Sequence, residues 1–292
     1  MLSAESHLEF ASSTLRSNMF LERQMRVHLV SRDRLQFDSA YASPTKGVGH
    51  VHLFVQLSGT VVPTYTAGAP AAPVAAPCAF VLSEPEFDHV QPGTPTFRSF
   101  GERCTIVEAR VPPSELRLPV GLARGPVPLP PPVWDALEHL RTAPSEASVF
   151  QMIGALGDTG VISRGLAASV VADEPERFKR IWAAMRPLYQ NLATSASLKQ
   201  ISTLTGLSLR QLGRDFTELT RTFGLFGAGF REAMRAVRLR VATLLLSAPD
   251  ATPSDVARVV GYGSLDAMGR AFRDATLPAP SIVQEAVRFR GV

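Results

Sequence analysis

Two stretches in the last third of this 292-residue chain decide its fold: GLSLRQLGRDF at residues 206–216 and GYGSLDAMGRAF at residues 261–272. The second stretch repeats the first. Ile201, Gly206 and Leu207 recur as Val256, Gly261 and Tyr262 at an offset of 55, and Leu212, Gly213, Arg214 and Phe216 recur as Met268, Gly269, Arg270 and Phe272 at an offset of 56. One extra residue therefore lies in the second turn of an internal tandem repeat.

Each copy has the pattern of a helix-turn-helix unit. Ser197 and Thr252 are suitable N-caps for a short first helix, and the glycine that follows can end this helix and permit a tight turn. A second amphipathic helix comes next, with apolar residues at i and i+4 that predict a buried face. One such pair is common, but two in tandem favour binding to double-stranded DNA, because the second helix of this motif enters the major groove.

The polar face of each second helix supplies the candidate DNA contacts. Arginine can bind guanine, and glutamine can bind adenine, through their major-groove edges. The candidates are Ser208, Arg210, Gln211 and Arg214 in the first unit, and Ser264 and Arg270 in the second. The second unit also presents Leu265 and Asp266, and Asp266 would repel phosphate although it can accept a hydrogen bond from cytosine N4. We therefore expect the first unit to give most of the sequence specificity.

A further helix is predicted between the two units, over residues 230–247. Its roughly 18 residues span about 27 Å at 1.5 Å per residue. Such a spacer can place the two recognition helices in successive major grooves, about 34 Å apart on one face of the DNA.

Charge is distributed unevenly along the chain. The net charge is +4, but residues 1–194 carry 17 Lys+Arg and 18 Asp+Glu, whereas residues 195–292 carry 13 and 8. Nearly all of the positive charge is arginine, which favours bidentate contacts to phosphate and guanine. A genome-wide preference for arginine codons explains the low lysine count but not the asymmetry, which fits a near-neutral sensor joined to a cationic DNA-binding region.

Proline marks a β region upstream of the repeat. Seventeen of the 23 prolines lie between Pro44 and Pro144, a density that helices do not tolerate but strands joined by turns do. Residues ~20–120 are therefore predicted to form an antiparallel β-sandwich or barrel, and GPVPLPPP (125–132) a stiff connector. Apolar or alternating runs of strand length occur at residues 50–57, 79–83 and 105–111.

Helical periodicity begins after this connector. Val133, Trp134, Leu137 and Leu140 share one helical face, and a second seam contains Phe178, Ile181, Trp182, Met185, Leu188 and Leu192. Pro187 lies inside the second seam and is expected to kink or end that helix. The seam can serve as domain core, as a dimer contact, or as both.

Residues ~195–290 resemble the tandem helix-turn-helix domain of the AraC/XylS family of bacterial transcription regulators. The resemblance is carried by GLSLRQLGRDF (206–216), RLRVATLLL (238–246), GYGSLDAMGRAF (261–272) and the late Pro280. More loosely, VHLFVQLSGTVV (51–62), AFVLSEPEFDHV (79–90) and TIVEARVPPSEL (105–116) resemble strands of the family's cupin-like effector domain. The resemblance implies regulation of promoters, with DNA contacts from the candidates named above and an effector bound upstream.

The repeat departs from this family at one glycine. The family usually has a glycine five residues after the phenylalanine of the recognition helix, where this chain has Arg221 and Leu277. The first unit also carries extra residues, RTFGLFGAG (221–229). A protein-interaction module with a degenerate helix-turn-helix domain is therefore an alternative, and it would bind no DNA even at low salt.

Three upstream histidines are candidate ligand-binding residues. His50 and His52 form a His-x-His pair on a predicted strand, so both imidazoles face one side and can reach one metal ion. A metal-dependent cupin enzyme is thus a second alternative, which metal analysis of the purified protein would decide. Gln56, a poor metal ligand, stands where a metal-binding cupin would place Glu. We instead predict no bound metal, and assign His50, His52 and His89 to an effector pocket.

Composition and motifs argue against several other classes. Cys78 and Cys104 are too few for a disulfide scaffold and lie in no CxxC motif, so both are expected to be buried structural residues. No apolar run reaches the ~18 residues of a membrane span, and no signal-peptide pattern is visible, so a cytoplasmic location is expected. The chain has no GxSxG, HExxH or Walker motif. We predict that it is not an enzyme and needs no cofactor.

The predicted fold class is α+β. A cupin-like antiparallel β-barrel or sandwich (1–125) is followed by a helical connector that can dimerise (126–194) and by an all-α domain with two helix-turn-helix units and a linker helix (195–292). The predicted function is transcription regulation controlled by a small molecule or partner at the first domain. Expected partners are promoter DNA, a second copy of the chain and, for an activator, RNA polymerase, but no membrane. Effector binding is expected to repack the connector helices and thereby rearrange the DNA-binding domains.

Overall fold

The computed structural model describes residues 1–42, 49–65, 71–88, 93–169, 174–194, 197–225 and 229–289. Within these ranges the first part of the chain forms eight strands and one short α-helix. They are β1 Leu2–Phe10, β2 Ser13–Leu21, β3 Arg26–Asp33, β4 Phe37–Asp38, β5 Val51–Thr64, β6 Val74–Ala75, β7 Cys78–Ser83, α1 Glu84–Asp88 and β8 Thr96–Val111.

The strands form one antiparallel sheet in the order β1-β2-β3-β8-β5-β6, with β4 paired to β8 and β7 paired to β5. The strands predicted at residues 50–57, 79–83 and 105–111 are confirmed as parts of β5, β7 and β8. The sheet begins much earlier than the predicted residue 20, because β1 and β2 form a hairpin. Its turn contains Ala11 with a φ of 52° instead of the glycine or asparagine that usually announces such a turn.

The two faces of the sheet differ in chemistry. One face is aliphatic, and Val27, Leu29, Leu53 and Val107 pack there in one cluster with the helices after β8. The other face carries charged and polar side chains, because β3 presents Arg26, His28 and Arg32 at alternate positions and β8 presents Glu108 and Arg110. This charged face is turned toward the C-terminal helices.

Four helices connect the sheet to the repeat: α2 Pro131–Thr142, α3 Glu146–Asp158, α4 Arg164–Ser169 and α5 Glu176–Gln190. The helix over the second apolar seam is confirmed, but Pro187 does not end it: α5 continues to Gln190. Pro187 removes one backbone hydrogen bond of the helix, and the burial of Met185 and Leu188 on either side of it stabilises the helix. The seam is buried within the chain against β1, β2 and the first unit of the repeat, so it serves as core. A dimer contact would need another surface.

The repeat is confirmed as six helices: α6 Leu198–Thr205, α7 Leu209–Thr222, α8 Phe230–Leu245, α9 Pro253–Val259, α10 Leu265–Asp274 and α11 Pro280–Val287. The linker helix α8 ends two residues before its predicted end. No helix in the ranges described above is both long and apolar enough to cross a membrane.

Each helix-turn-helix unit belongs to an apolar cluster that also contains residues of the β domain. In the first unit, Ile201, Leu212 and Phe216 belong to one apolar cluster with Leu2 and Met19 of the β1–β2 hairpin. In the second unit, Val256, Met268 and Phe272 belong to a cluster that extends through α8 to the interior of the β domain. The first unit therefore shares its core with the β1–β2 hairpin, and the second is connected to the β domain through α8.

Candidate DNA interface and effector cavity

The first unit, α6 and α7, is built on two serine caps and one glycine. Ser197 caps α6, and its Oγ accepts a hydrogen bond from Gln200 N at 3.2 Å. Gly206 ends α6 with a φ of 68°, a conformation that favours glycine. Ser208 then caps α7, its Oγ accepting from Gln211 N at 3.3 Å. Since Leu212 is fully buried, the opposite face of α7 is turned to solvent.

Two arginines stand on that solvent face of α7. Arg210 and Arg214 are exposed. The Nε of Arg214 donates to the buried carboxylate of Asp215 at 3.0 Å, yet 72% of the Arg214 side chain remains exposed. Asp215 thus holds the Nε of Arg214 in place, while the rest of the side chain remains accessible to DNA.

Gln211 has a second role that its sequence position does not reveal. Its Oε1 accepts hydrogen bonds from Ser208 Oγ at 3.0 Å and from Ser208 N at 3.3 Å, which completes a capping box. Bidentate reading of adenine needs the amide oxygen as well as the amide nitrogen. The predicted base contact of Gln211 therefore competes with the cap of its own helix.

The second unit, α9 and α10, repeats this framework. Thr252 caps α9, its Oγ1 accepting from Asp255 N at 3.2 Å, and Ser264 caps α10 through Ala267 N at 3.1 Å. Gly261 has a φ of 82°, and a Cβ at this position would overlap the carbonyl oxygen of Leu192. Glycine is thus required in the turn by backbone conformation and by space.

The exposed face of α10 carries the second set of predicted contacts. Arg270, Ser264, Leu265 and Asp266 are all exposed, whereas Met268 is fully buried. Both recognition helices therefore present a polar face to solvent, and α10 carries Arg273 beside Arg270 on this face.

The two recognition helices end differently from the family pattern. Helix α7 continues through Arg221, and the left-handed residue is Gly224, with a φ of 55°. After α10 the left-handed residue is Thr276, with a φ of 58°. A left-handed conformation is strained for a β-branched residue. The backbone after the second recognition helix is therefore strained, whereas the glycine after the first is not.

A cavity of about 150 Å³ lies between the charged face of the sheet and the linker helix α8. Strand residues on its wall include Met19, His28, Val30, Arg32, Phe54 and Glu108. Tyr189 of α5 completes the wall with four residues of α8: Val237, Arg240, Val241 and Leu244. The cavity is thus shared between the β domain and the helix that joins the two DNA-binding units.

Glu108 is the centre of a buried ionic cluster beside this cavity. Its Oε1 accepts hydrogen bonds from Arg26 Nη2 and from His52 Nδ1, both at 2.7 Å. Burial alone would raise the pKa of Glu108, but Arg26 and the bond from His52 hold it well below its usual range. Burial also lowers the pKa of His28 and His52 to about 4. At neutral pH the cluster therefore contains an ionised carboxylate and two neutral imidazoles.

Arg32 is the second polar feature of the cavity wall, and it is only 1% exposed. Its Nη2 donates to Ser99 Oγ at 2.6 Å and to Cys104 Sγ at 3.1 Å. Among the described residues, its Nε and Nη1 have no hydrogen-bond partner. A buried guanidinium with unused donors is costly unless a ligand or water accepts from it.

Of the predicted effector residues, His50 and His52 do not line the cavity. His52 contacts two residues of the cavity wall: it stacks on Phe87 with ring centroids 4.3 Å apart, and its Nδ1 donates to Glu108. His50 is half-buried and does not line the cavity, and His89 lies outside the described residues. His28 and Arg32, which do line it, were missed, although their alternation in RVHLVSRD (26–33) was a visible signal.

His52 of the His-x-His pair and Gln56 are engaged in contacts other than metal binding. His52 Nδ1 is directed at Glu108, and Gln56 is fully buried, with its Oε1 accepting from Ser99 Oγ at 2.7 Å and its Nε2 donating to Ser58 O at 2.6 Å. Within the described ranges no group of three or more potential ligand side chains could hold a metal ion. Both cysteines are buried and unpaired, and burial raises the pKa of Cys78 to about 11.

A single arginine connects the ionic cluster to the first recognition helix. Arg110 lies two residues from Glu108 on the same face of β8, and its Nη2 donates to the carbonyl oxygen of Phe223 at 3.0 Å. Phe223 is the C-cap of α7. A Cβ on the next residue, Gly224, would overlap this guanidinium. The end of the first recognition helix is thus fitted to a residue of the sheet.

Comparison with known proteins identifies the repeat. Residues 201–286 match a family model described as a helix-turn-helix domain. No curated protein sequence matches the chain.

Several solved structures are similar to this chain at low sequence identity. ToxT from Vibrio cholerae has 10% sequence identity and a TM-score of 0.38, over 90% of this chain and 99% of its own. The AraC-like transcriptional activator CuxR has 11% identity and a TM-score of 0.24, over 94% and 80%. The nucleoside dehydratase Pac13 has 14% identity and a TM-score of 0.24, over 37% and 77%. Likeness at this level is too low to transfer a ligand or an activity.

Proposed function

We propose that this chain, which carries an AraC-type helix-turn-helix DNA-binding domain at residues 201–286, regulates transcription under the control of a small-molecule effector. The observation that supports this function most strongly is the pair of capped recognition helices, α7 and α10, each with its apolar face buried and its arginine-bearing face in solvent. Residues 195–292 would bind the DNA, residues 1–125 would hold the effector, and residues 126–194 would connect them.

On the DNA, the two recognition helices have unequal tasks. Arg210 and Arg214 of α7 would bind guanine or phosphate, and Arg270 would do the same from α10. The hydroxyls of Ser208 and Ser264 are at the N-terminal ends of these helices, where they can also reach phosphate. The net charge of +5 over residues 195–292 attracts DNA at long range.

The effector site is proposed to be the cavity between the sheet and α8. Its volume of about 150 Å³ is comparable to that of engineered cavities that hold benzene. Unused donors on Arg32 favour a ligand with an oxygen acceptor. Burial lowers the pKa of Arg110 and Arg240 to about 9, so a negatively charged ligand would relieve an excess of buried positive charge. A small apolar molecule with one carboxylate fits these features.

The sequence predicted that effector binding would act on the DNA-binding domains through the connector helices. The cavity favours a more direct coupling, through α8. Four residues of α8 line the cavity, and α8 itself joins the two helix-turn-helix units. A ligand that moves α8 would change the distance between the recognition helices. A ligand that moves Glu108 or Arg110 would act on the end of α7 through Phe223. Binding would thereby shift the population between DNA-binding and non-binding arrangements.

Binding to DNA can be tested by measuring the affinity of the full chain for a selected duplex over a range of salt concentrations. Since arginine–phosphate contacts release counterions, the logarithm of the affinity should fall linearly with the logarithm of the salt concentration. Arg141→Ala provides a matched control, because Arg141 is an exposed arginine on α2, outside the repeat. Absence of binding at low salt would contradict the proposal.

The effector site can be tested with benzoate, a monocyclic aromatic carboxylate, as the probe. Millimolar benzoate should raise the melting temperature of the wild type through preferential binding to the folded state. Leu244→Trp, which fills the cavity, should abolish this shift, and Arg32→Met should reduce it. An equal shift in all three proteins would place benzoate elsewhere.

A second copy of the chain, and RNA polymerase for an activator, are further proposed partners.

A further inference from the structure

The two recognition helices share a leucine, a glycine and an arginine outside the core at equivalent positions. From the capping serine onward, their sequences are SLRQLGRDF (208–216) and SLDAMGRAF (264–272), at a constant offset of 56. Burial accounts for Leu212 and Met268 and for the phenylalanines, all of which are in the core. It does not account for the leucine, glycine and arginine that both helices present outside the core.

The shared leucine is the first residue of each helix. Leu209 is 51% exposed and Leu265 is 39% exposed. Large hydrophobic side chains are exposed at five positions in the described residues, and two of the five occupy this same place. The N-terminal residues of a recognition helix are the ones that contact base edges, and the apolar group on those edges is the thymine methyl.

The shared glycine lies four residues later, on the same side of the helix. At Gly213 and at Gly269 a Cβ would meet no atom within 4 Å. Packing within the protein therefore does not require glycine at either position, and glycine lowers the stability of a helix interior. Close approach of the helix backbone to DNA gives a reason for glycine in both helices.

The shared arginine follows the glycine directly. Arg214 and Arg270 are both exposed, and both can donate two hydrogen bonds to guanine O6 and N7. Between the shared leucine and the shared arginine, the helices differ at two positions outside the core: Arg210 is replaced by Asp266, and Gln211, which completes the cap of its own helix, is replaced by Ala267. Arginine favours guanine at the first of these positions, whereas aspartate accepts from the N4 amino group of cytosine.

We propose that the two recognition helices read two related half-sites, each with a thymine under the leading leucine and a guanine under the shared arginine. Between the shared thymine and the shared guanine the two half-sites differ, with guanine opposite Arg210 in the first and cytosine opposite Asp266 in the second. The operator is thus an imperfect repeat of one short base pattern. The inference rests on the proposed function, since it assumes that both helices enter the major groove.

The first step of the test is selection of duplexes from a random pool by the full-length chain. The enriched sequences should contain two half-sites that share a thymine and a guanine. If no sequence is enriched, the proposed function fails and this inference fails with it. If one sequence is enriched but its two contacted segments share no thymine, the inference fails while the proposed function stands.

The second step removes only the methyl group, by replacing the shared thymine of one half-site with deoxyuridine. Wild-type affinity should fall about four-fold, the value expected for losing one buried methyl-sized group. Leu209→Ala should be insensitive to this replacement in the first half-site but sensitive in the second, and Leu265→Ala should show the reverse. Leu204→Ala, at a 72% exposed position on α6, is the matched control and should behave as wild type. Equal sensitivity of all four proteins in both half-sites would overturn the inference.

Discussion

The first helix-turn-helix unit, residues 197–222, and the second, residues 252–274, share a framework and differ in their surroundings. In both, a hydroxyl residue caps each helix, a left-handed glycine makes the turn, and a phenylalanine closes the core. The first unit packs on α5 and the β1–β2 hairpin, and its recognition helix ends against Arg110. The second packs with α8 and α11.

This difference indicates where regulation acts. Residues that build the framework are nearly the same in both units because the same turn and core must form twice. Contact with the ionic cluster occurs through Phe223 in the first unit, and Arg210 of this unit has Asp266 as its counterpart in the second. We therefore expect an effector to change mainly the contribution of the first unit to DNA binding.

The largest expected effect tests whether the two frameworks are equivalent. Phe216 is 2% exposed and Phe272 is fully buried, so Phe216→Ala and Phe272→Ala should each lower the free energy of unfolding by about 3–5 kcal/mol. Chemical denaturation monitored by circular dichroism measures this change. The exposed Leu204 offers a control, since Leu204→Ala should have almost no effect. A cost below 1 kcal/mol for either phenylalanine would show that its unit is not built as described.

A smaller effect tests the ionic cluster beside the first unit. The folded-state pKa of His52 is about 4, below its ordinary value of 6.5, so the unfolded chain takes up the proton first as the pH falls. Stability should therefore decrease between about pH 6.5 and pH 4, with His52 contributing about 2 kcal/mol between pH 7 and pH 5.

His52→Gln removes this titration. Comparison of the unfolding free energies of wild type and variant at pH 7 and pH 5 checks it, and the loss on acidification should be about 2 kcal/mol smaller in the variant. An unchanged pH dependence would mean that His52 is not held neutral by burial.

The smallest effect concerns the ends of the recognition helices. Because Thr276 is left-handed and Gly224 occupies the corresponding region of the first unit, Thr276→Gly should stabilise the protein by about 1 kcal/mol. Thr203→Gly, the same substitution within helix α6, should instead destabilise it by about 0.5 kcal/mol. Thermal unfolding of both variants gives the comparison, and a destabilising Thr276→Gly would contradict the strain.

The repeat could be predicted from sequence because its determinants are local. Ser197, Gly206 and Thr252 act on residues within one turn of themselves, and the apolar spacing of a helix is visible in a single stretch. The exposed faces of α7 and α10 follow from the same periodicity. The hairpin of β1 and β2 was missed because its turn at Ala11 lacks the usual residues.

The cavity could not be predicted because strand register creates it. Glu108 meets His52 and Arg26 only through pairings that span 56 and 82 residues. His52 was predicted to line the pocket, whereas its Nδ1 donates to Glu108 and its ring does not line the cavity. Arg110 and Phe223 are 113 residues apart, and no local pattern announces their contact. Alternation of charge along β3 and β8 was the one available sign.

The most direct test of the central claim, DNA reading by two unequal units, is the affinity of Arg214→Ala and Arg270→Ala for the selected operator at one fixed salt concentration. Arg214→Ala should weaken binding by about 1–3 kcal/mol, and Arg270→Ala by less, while Arg141→Ala leaves it unchanged. Equal affinity of Arg214→Ala and wild type would remove the first recognition helix from the interface and contradict the account.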